Sequence, residues 1–252
     1  MQSELILLYS IVFLYGICIG SFLNVCIYRI PKKENIATNR SHCMSCNNTL
    51  KWYDLVPLFS YLFLGGRCRY CKVKLSVQYP LVEALNGLGY VFIFCINGIN
   101  LTSILFSLCF SALIVLSVID FRTYEIPIYI NIFILLLGIA RVIFDFDNVT
   151  EYLLGMVSVS GFLLILYYAT KGRGIGGGDV KLMAAAGLLI GFKNIILALV
   201  LGCILGSIIH IARMKIQNKE HVLAFGPYLS AGILIAMLFG DKLIGWYLSM
   251  FM

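Results

Sequence analysis

Two aspartates hold the chemistry most at odds with their surroundings. Asp120 closes the apolar run 104–119, and Asp179 closes Gly174-Ile175-Gly176-Gly177-Gly178. Each stands where a membrane span is expected to meet a short loop. An ionisable side chain at such a boundary is costly and points to function. Two carboxyls sharing one proton form an acid/base pair able to hydrolyse a peptide bond. Four cysteines make a second group, Cys43-Met44-Ser45-Cys46 and Cys68-Arg69-Tyr70-Cys71. Each pair can give two thiolates to one tetrahedral ion. Four protein ligands leave no open catalytic position, so a structural Zn2+ is the expected occupant. Four free thiols or a redox-active pair are the competing readings.

The elements around these residues are apolar. Hydrophobic residues make up 61% of the 252 and charged ones 12%, and the mean hydropathy is +0.94. A soluble domain has about 25% charged residues, so the expected fold is an all-α polytopic membrane protein in a lipid bilayer. The net charge of +7 fits positive-inside loops and anionic lipid, and no nucleic-acid partner is expected. The first apolar run starts at Leu5 with only Glu4 as a charge before it, so no cleavable signal is expected. Cys18, Cys26, Cys95, Cys109 and Cys203 lie in apolar runs and read as small hydrophobes.

Runs of spanning length are 5–27, 80–96, 101–119, 126–144, 152–169, 195–211 and 223–239. A shorter run, 180–192, covers only about 20 Å as a helix. Basic residues decide whether it crosses. Nine of the 19 lie in residues 28–78. Others are Arg122; Lys171, Arg173 and Lys181; and Arg213, Lys215 and Lys219. If 180–192 crosses, every strongly basic loop is cytoplasmic. The expectation is therefore about eight transmembrane helices with both termini outside, and a small cytoplasmic lobe between the first and second. That arrangement puts Asp120 and Asp179 at one membrane face and the cysteines in the reducing cytoplasm, where disulfides are disfavoured. The lobe, 31–78, is too small to build much core of its own, and a metal would hold it together.

The glycines before Asp179 lack the preceding strand and the Gly-Lys-Ser/Thr ending of a phosphate loop. Gly176, Gly177 and Gly178 instead permit close backbone approach beside a carboxyl, where extended substrate could pair. Lys181 can pair with Asp179 or act as a positive-inside anchor. Other acids are expected on the outer side or in solvated loops, except Glu83 at the start of the second span and Glu125 near Asp120. Neither Gly-x-Ser-x-Gly nor His-Glu-x-x-His is present. An aspartyl mechanism remains. A transporter with intramembrane acids and a non-catalytic assembly scaffold are the readings from other classes.

Several ordered motifs resemble one family. They are Gly20-Ser21-Phe22-Leu23-Asn24-Val25-Cys26-Ile27-Tyr28-Arg29-Ile30-Pro31, the two cysteine pairs, and Trp52-Tyr53-Asp54-Leu55-Val56-Pro57 between them. Tyr79-Pro80-Leu81-Val82-Glu83, Ile119-Asp120, Ile126-Pro127, Gly176-Gly177-Gly178-Asp179-Val180-Lys181 and Phe225-Gly226-Pro227 complete the set. The chain resembles the bacterial type IV prepilin peptidases, which are leader peptidase/N-methyltransferases and intramembrane aspartyl proteases. The resemblance implies cleavage of the basic leader of type IV prepilins and pseudopilins at the cytoplasmic face of the cell inner membrane. It further implies methylation of the new N-terminal residue by S-adenosylmethionine. It maps the catalytic pair onto Asp120 and Asp179, and links the cysteine-bearing loop, Gly20, Asn24, Arg29 and Glu83 to methyl transfer. Packing and helix-end anchoring explain Gly20, Asn24 and Arg29 as well. The implied division is 1–30, a first membrane helix; 31–78, a zinc lobe; and 79–252, a peptidase core. Two positions depart from the pattern. Ile128 stands where the family often has an acid, and Met44 where it often has proline. No Rossmann-type pattern for S-adenosylmethionine is present, so methyl transfer rests on the resemblance.

Overall fold

The computed structural model describes residues 2–36, 38, 40–217 and 224–250. Its order is α1 (Gln2–Lys32), a short α2 (Phe59–Phe63), α3 (Gln78–Asn97), α4 (Leu101–Thr123), α5 (Ile128–Phe144), α6 (Val149–Ala169), α7 (Gly177–Ile190), α8 (Phe192–Gln217) and α9 (Gly226–Ser249). No strand occurs among the described residues, where only the isolated bridges His42–Thr49 and Arg67–Lys74 form. Two compact units result, Met1–Ile99 and Asn100–Met252.

Six helices are long and apolar enough to cross a membrane: Ser3–Lys32, Gln78–Asn97, Leu101–Thr123, Phe146–Ala169, Phe192–Ala212 and Gly226–Ser249. The protein is thus an all-helical, multi-pass membrane protein. The two remaining expected spans form helices α5, with 17 residues, and α7, with 14. Part of the loop bearing Arg213, Lys215 and Lys219, and Leu223 at the start of the last expected span, lie outside the described residues. The first helix runs past the apolar stretch 5–27 to Lys32, with Pro31 in its last turn.

In the first unit α1 packs on α3 through small residues. A Cβ on Gly16 would lie 2.8 Å from Gly87 Cα, and one on Gly20 would lie 2.7 Å from Glu83 Cα. Such contact lets backbones approach where lipid offers no hydrophobic drive for helix association. Buried Asn86 fastens the same seam by donating to the Gly16 carbonyl at 2.7 Å.

In the second unit α4 is the central helix, with 72% of its apolar window buried against 22% for the windows on α6 and α8. Helix α7 is buried along nearly its whole length. It lies against α5 and α6, and at the α6 crossing a Cβ on Gly187 would sit 2.2 Å from the Gly155 carbonyl oxygen. A 14-residue helix reaches about 21 Å, short of the roughly 30 Å hydrocarbon core. Its neighbours enclose it from Asp179 to Ile190, while the glycine-rich segment before it is largely exposed. Asn100 caps α4 by accepting from the Ser103 amide at 2.8 Å, and Tyr124, in the left-handed region at φ 57°, ends it.

Candidate active site

Asp120 sits in the last turn of α4 and Asp179 at the third position of α7, both in the second unit. They are 4% and 7% exposed, and neither has a cationic partner among the described residues. Buried carboxyls without such partners are expensive for a merely structural role. The structure brings the two within electrostatic reach, since Asp179 feels the charge of Asp120.

Each carboxyl is aimed by one glycine amide. The Gly226 N–H, at the start of α9, donates to Asp120 Oδ2 at 2.9 Å. The Gly176 N–H donates to Asp179 Oδ2 at 3.2 Å, the return contact of an acidic residue at a helix N-terminus. The other oxygen of each carboxyl is left without a protein partner among the described residues. Neither Gly226 nor Gly178 has room for a side chain. A Cβ on Gly226 would lie 2.7 Å from Asp120 Oδ2, and one on Gly178 would lie 2.8 Å from Ile126 Cβ. The Gly178 carbonyl accepts from Asn131 Nδ2 at 3.3 Å. Lys181 is exposed on α7 and makes no ion pair with Asp179. Gly226 and Asn131 were not singled out as site residues from the sequence. Asn131 does have a signal, as an amide inside the apolar run of α5, and its Oδ1 is buried with no partner among the described residues.

The four cysteines converge in the first unit. All their ligand atoms lie within 4.8 Å of one another, with Cys43 Sγ and Cys71 Sγ 3.8 Å apart. Four sulfurs held about 2.3 Å from one ion stand about 3.8 Å from each other, so the cluster can hold a metal. The two pairs repeat one backbone design. The Cys43 and Cys68 amides donate to the Asn48 and Val73 carbonyls, and their own carbonyls accept from Asn47 and Lys72. Asn47 and Lys72 both take positive φ, 55° and 60°. Burial pushes the Cys43 thiol up, but the Ser45 and Cys46 amides and the neighbouring sulfurs outweigh it and bring it down to about 6. Cys71 is pushed up to about 11. The Val73 amide favours its thiolate, while desolvation and the three other sulfurs outweigh that bond. One sulfur is therefore ready to bind a cation at neutral pH, and another must lose a proton to do so. Asp54 accepts from Arg69 Nε at 2.6 Å and ties the second pair to the turn before α2.

The remaining candidates share the first unit. Arg29 is buried and donates to the carbonyls of Asn35, Ile36 and Arg40 at 3.1–3.3 Å, fastening the lobe to the end of α1. Asn24 donates to the Tyr79 carbonyl at 3.1 Å and so links α1 to the start of α3. Gly20 is the close-contact position against Glu83. Glu83 accepts from the Leu58 amide at 2.8 Å.

Two family models match, one inside each unit. Residues 14–97 match the bacterial peptidase A24 N-terminal domain, and residues 107–211 match the type IV leader peptidase family. The chain is 34% identical over 244 residues to a prepilin leader peptidase/N-methyltransferase of Bacillus subtilis (strain 168), covering 96% of this chain and 98% of that one. Proteins of the same description from Aeromonas hydrophila and Legionella pneumophila are each 31% identical. The first match covers 98% of this chain and 96% of that protein. The second covers 97% and 96%. No solved structure matches. With similarity spanning both units and nearly the full length of these relatives, the chain belongs to the type IV leader peptidase family.

Proposed function

We propose that the chain is an aspartyl endopeptidase of the cell inner membrane. It removes the basic leader of type IV prepilins and pseudopilins at the cytoplasmic face, then methylates the new N-terminal residue. The observation that supports this best is the pair of buried, cation-free carboxyls, Asp120 and Asp179, within each other's field. One carboxylate takes a proton from water as the water attacks the scissile carbonyl. The other, protonated, donates to the carbonyl oxygen. Collapse of the tetrahedral adduct breaks the C–N bond, and the proton taken from water goes to the leaving amine. The proton belongs to the pair, so neither residue has a fixed role. The glycines before Asp179 leave backbone open for extended substrate to pair beside the carboxyl. Six long apolar helices plus α5 and α7 make eight spans in this reading, with the basic loops and the cysteine lobe in the cytoplasm.

Cys43, Cys46, Cys68 and Cys71 would hold a structural zinc ion. Gly20, Asn24 and Arg29 fix the lobe and α3 to α1, and Glu83 is left for methyl transfer. S-adenosylmethionine, when bound, supplies a methyl group on a sulfonium. The proposed division is a first helix in 1–30, a zinc lobe in 31–78 and a peptidase core in 79–252.

One incubation tests the reading: purified chain, a prepilin leader peptide and label-bearing S-adenosylmethionine, with cleavage and methylation followed separately. Cleavage should precede labelling, and only the product with a freed N-terminus should gain label. Removing zinc by a chelator should lower thermal stability while chain that is still folded goes on cleaving. Zinc affinity should fall as pH falls, because binding displaces the Cys71 proton, and fall more steeply below about 6, where Cys43 protonates. Intact peptide after incubation, or label on uncut peptide, contradicts the reading.

A further inference from the structure

A cavity of about 520 Å³ lies in the first unit, between the end of α1, the start of α3 and the cysteine lobe. Small-molecule sites are typically about 300–1,000 Å³, so the volume suits a nucleoside-sized ligand. The lining mixes aromatic rings, Tyr28, Tyr61 and Tyr79, with charge of both signs. Of the charged groups, Arg69 and Asp54 pair with each other and Arg29 donates to backbone carbonyls, which leaves Glu83 and Lys74. Lys74 is in no ion pair among the described residues.

Glu83 is the unexplained group. It is 7% exposed and has only neutral partners, the Leu58 amide at 2.8 Å and the Ser21 hydroxyl. No cation pairs with it among the described residues. A buried carboxylate in this state lacks the opposite charge that would offset its desolvation. It also holds a tight turn on the cavity side of the lobe. Leu58 has φ 61° and ψ −51°, and the Phe59 amide bonds back to the Pro57 carbonyl at 2.6 Å. A γ-turn of this sense is rare and strained, and it persists only where the surroundings impose it. The Glu83 carboxylate is thus held in a fixed position beside a cavity, with its charge unmet.

We infer that this cavity binds the methyl donor, and that Glu83 supplies the negative charge facing the cation of the methyl-transfer reaction. The inference rests on the methyltransferase reading above. Two cations fit: the sulfonium of S-adenosylmethionine, and the new N-terminal ammonium of the cleaved peptide, which must lose one proton before its nitrogen can accept a methyl group. The C–N bond forms as the C–S bond breaks, its electron pair staying on sulfur. A carboxylate at Glu83 can stabilise the first cation or take the proton of the second. Lys74 provides a counter-charge for the donor's carboxylate. Glu83 is read here as a group that touches substrate or donor, while Arg29 and Asn24 position it through the lobe and α3.

Equilibrium dialysis of the full chain in detergent tests this, with S-adenosylmethionine and the sulfur-neutral S-adenosylhomocysteine as probes. Glu83→Gln keeps an acceptor for the Leu58 amide, and Val25→Trp fills the cavity from α1. Zinc content and thermal stability report the fold of both. Val25→Trp should weaken both ligands by about tenfold or more. If Glu83 faces the sulfonium, Glu83→Gln weakens S-adenosylmethionine by about tenfold and spares the neutral analogue. If it serves the ammonium, both ligands bind as before, while methylation of a pre-cleaved peptide drops about 100-fold and loses its acid-limb pH dependence. Either pattern supports the site. Wild-type binding and methylation in both variants overturns it and leaves the methyltransferase reading standing. So does a Val25→Trp chain that binds donor normally but cleaves poorly, which assigns the cavity to the leader peptide. Wild-type chain that binds neither ligand and methylates nothing overturns both.

Discussion

Asp120→Asn and Asp179→Asn each lower leader cleavage by about 10³-fold or more, measured as kcat/KM on a prepilin peptide. Loss of general acid/base catalysis alone spans about 10²–10⁴, and either change removes the shared proton the reaction needs. The same substitutions leave the fold intact. Asn keeps an acceptor oxygen for the Gly226 amide at Asp120 or the Gly176 amide at Asp179. It also removes the cost of burying a carboxylate with no cation beside it. Thermal stability in detergent should therefore hold or rise, as it does when function-driven strain is relieved. A scaffold or transporter predicts the reverse: cleavage elsewhere in the cell unaffected by these changes. Retention of more than about a tenth of wild-type kcat/KM in either variant would remove the pair from the mechanism.

Gly226→Ala gives the second large effect, from a residue outside the pair. Its new methyl would stand 2.7 Å from Asp120 Oδ2 and 3.0 Å from Leu116 Cδ2. Both neighbours are side-chain atoms, so α9 need not move; the carboxylate moves instead and loses its 2.9 Å amide contact. Misplacing a reacting group by about 1 Å costs about 100-fold, and a fall of that order in kcat with little change in KM is expected. Gly206→Ala, whose methyl would meet only ordinary contacts at 3.4 Å or beyond, serves as the control and should cleave within about threefold of wild type. Equal losses in both variants would mean that added bulk at a helix glycine of this unit, on α8 as on α9, and not the Asp120 contact, matters.

Much of this was legible in the chain. Paired Cys-x-x-Cys spacing forecasts a four-sulfur cluster because ligand geometry is local to each pair. Apolar run length forecasts helices, and it marks α7 as short. Run length cannot say why a short helix is tolerated. That depends on α5 and α6 enclosing it, through a Gly155–Gly187 contact between residues 32 positions apart. The hold on Asp120 was equally hidden. Gly226 lies 106 residues away, and its motif in the sequence gave no hint of which side chain it would meet. Gly20, Asn24 and Arg29 carried signals as residues of interest, yet their partners are backbone groups: those of Gly20 and Asn24 are chosen by packing of α1 on α3, those of Arg29 by the return of the chain at Asn35, Ile36 and Arg40. The cavity beside Glu83 needs three chain segments together, so no local pattern announces it.

The central claim is that Asp120 and Asp179 act on one reacting centre. A leader peptide with a hydroxyl-bearing, non-cleavable isostere at the scissile bond mimics the tetrahedral adduct, and such mimics bind at least about 10²-fold tighter than substrate. Its Kd should be measured against wild type, Asp120→Asn and Asp179→Asn, beside the Kd of the unmodified leader peptide. The account predicts that each variant loses the mimic's advantage, by about 100-fold, and holds the unmodified peptide within about threefold. A mimic that binds either variant as tightly as wild type contradicts it.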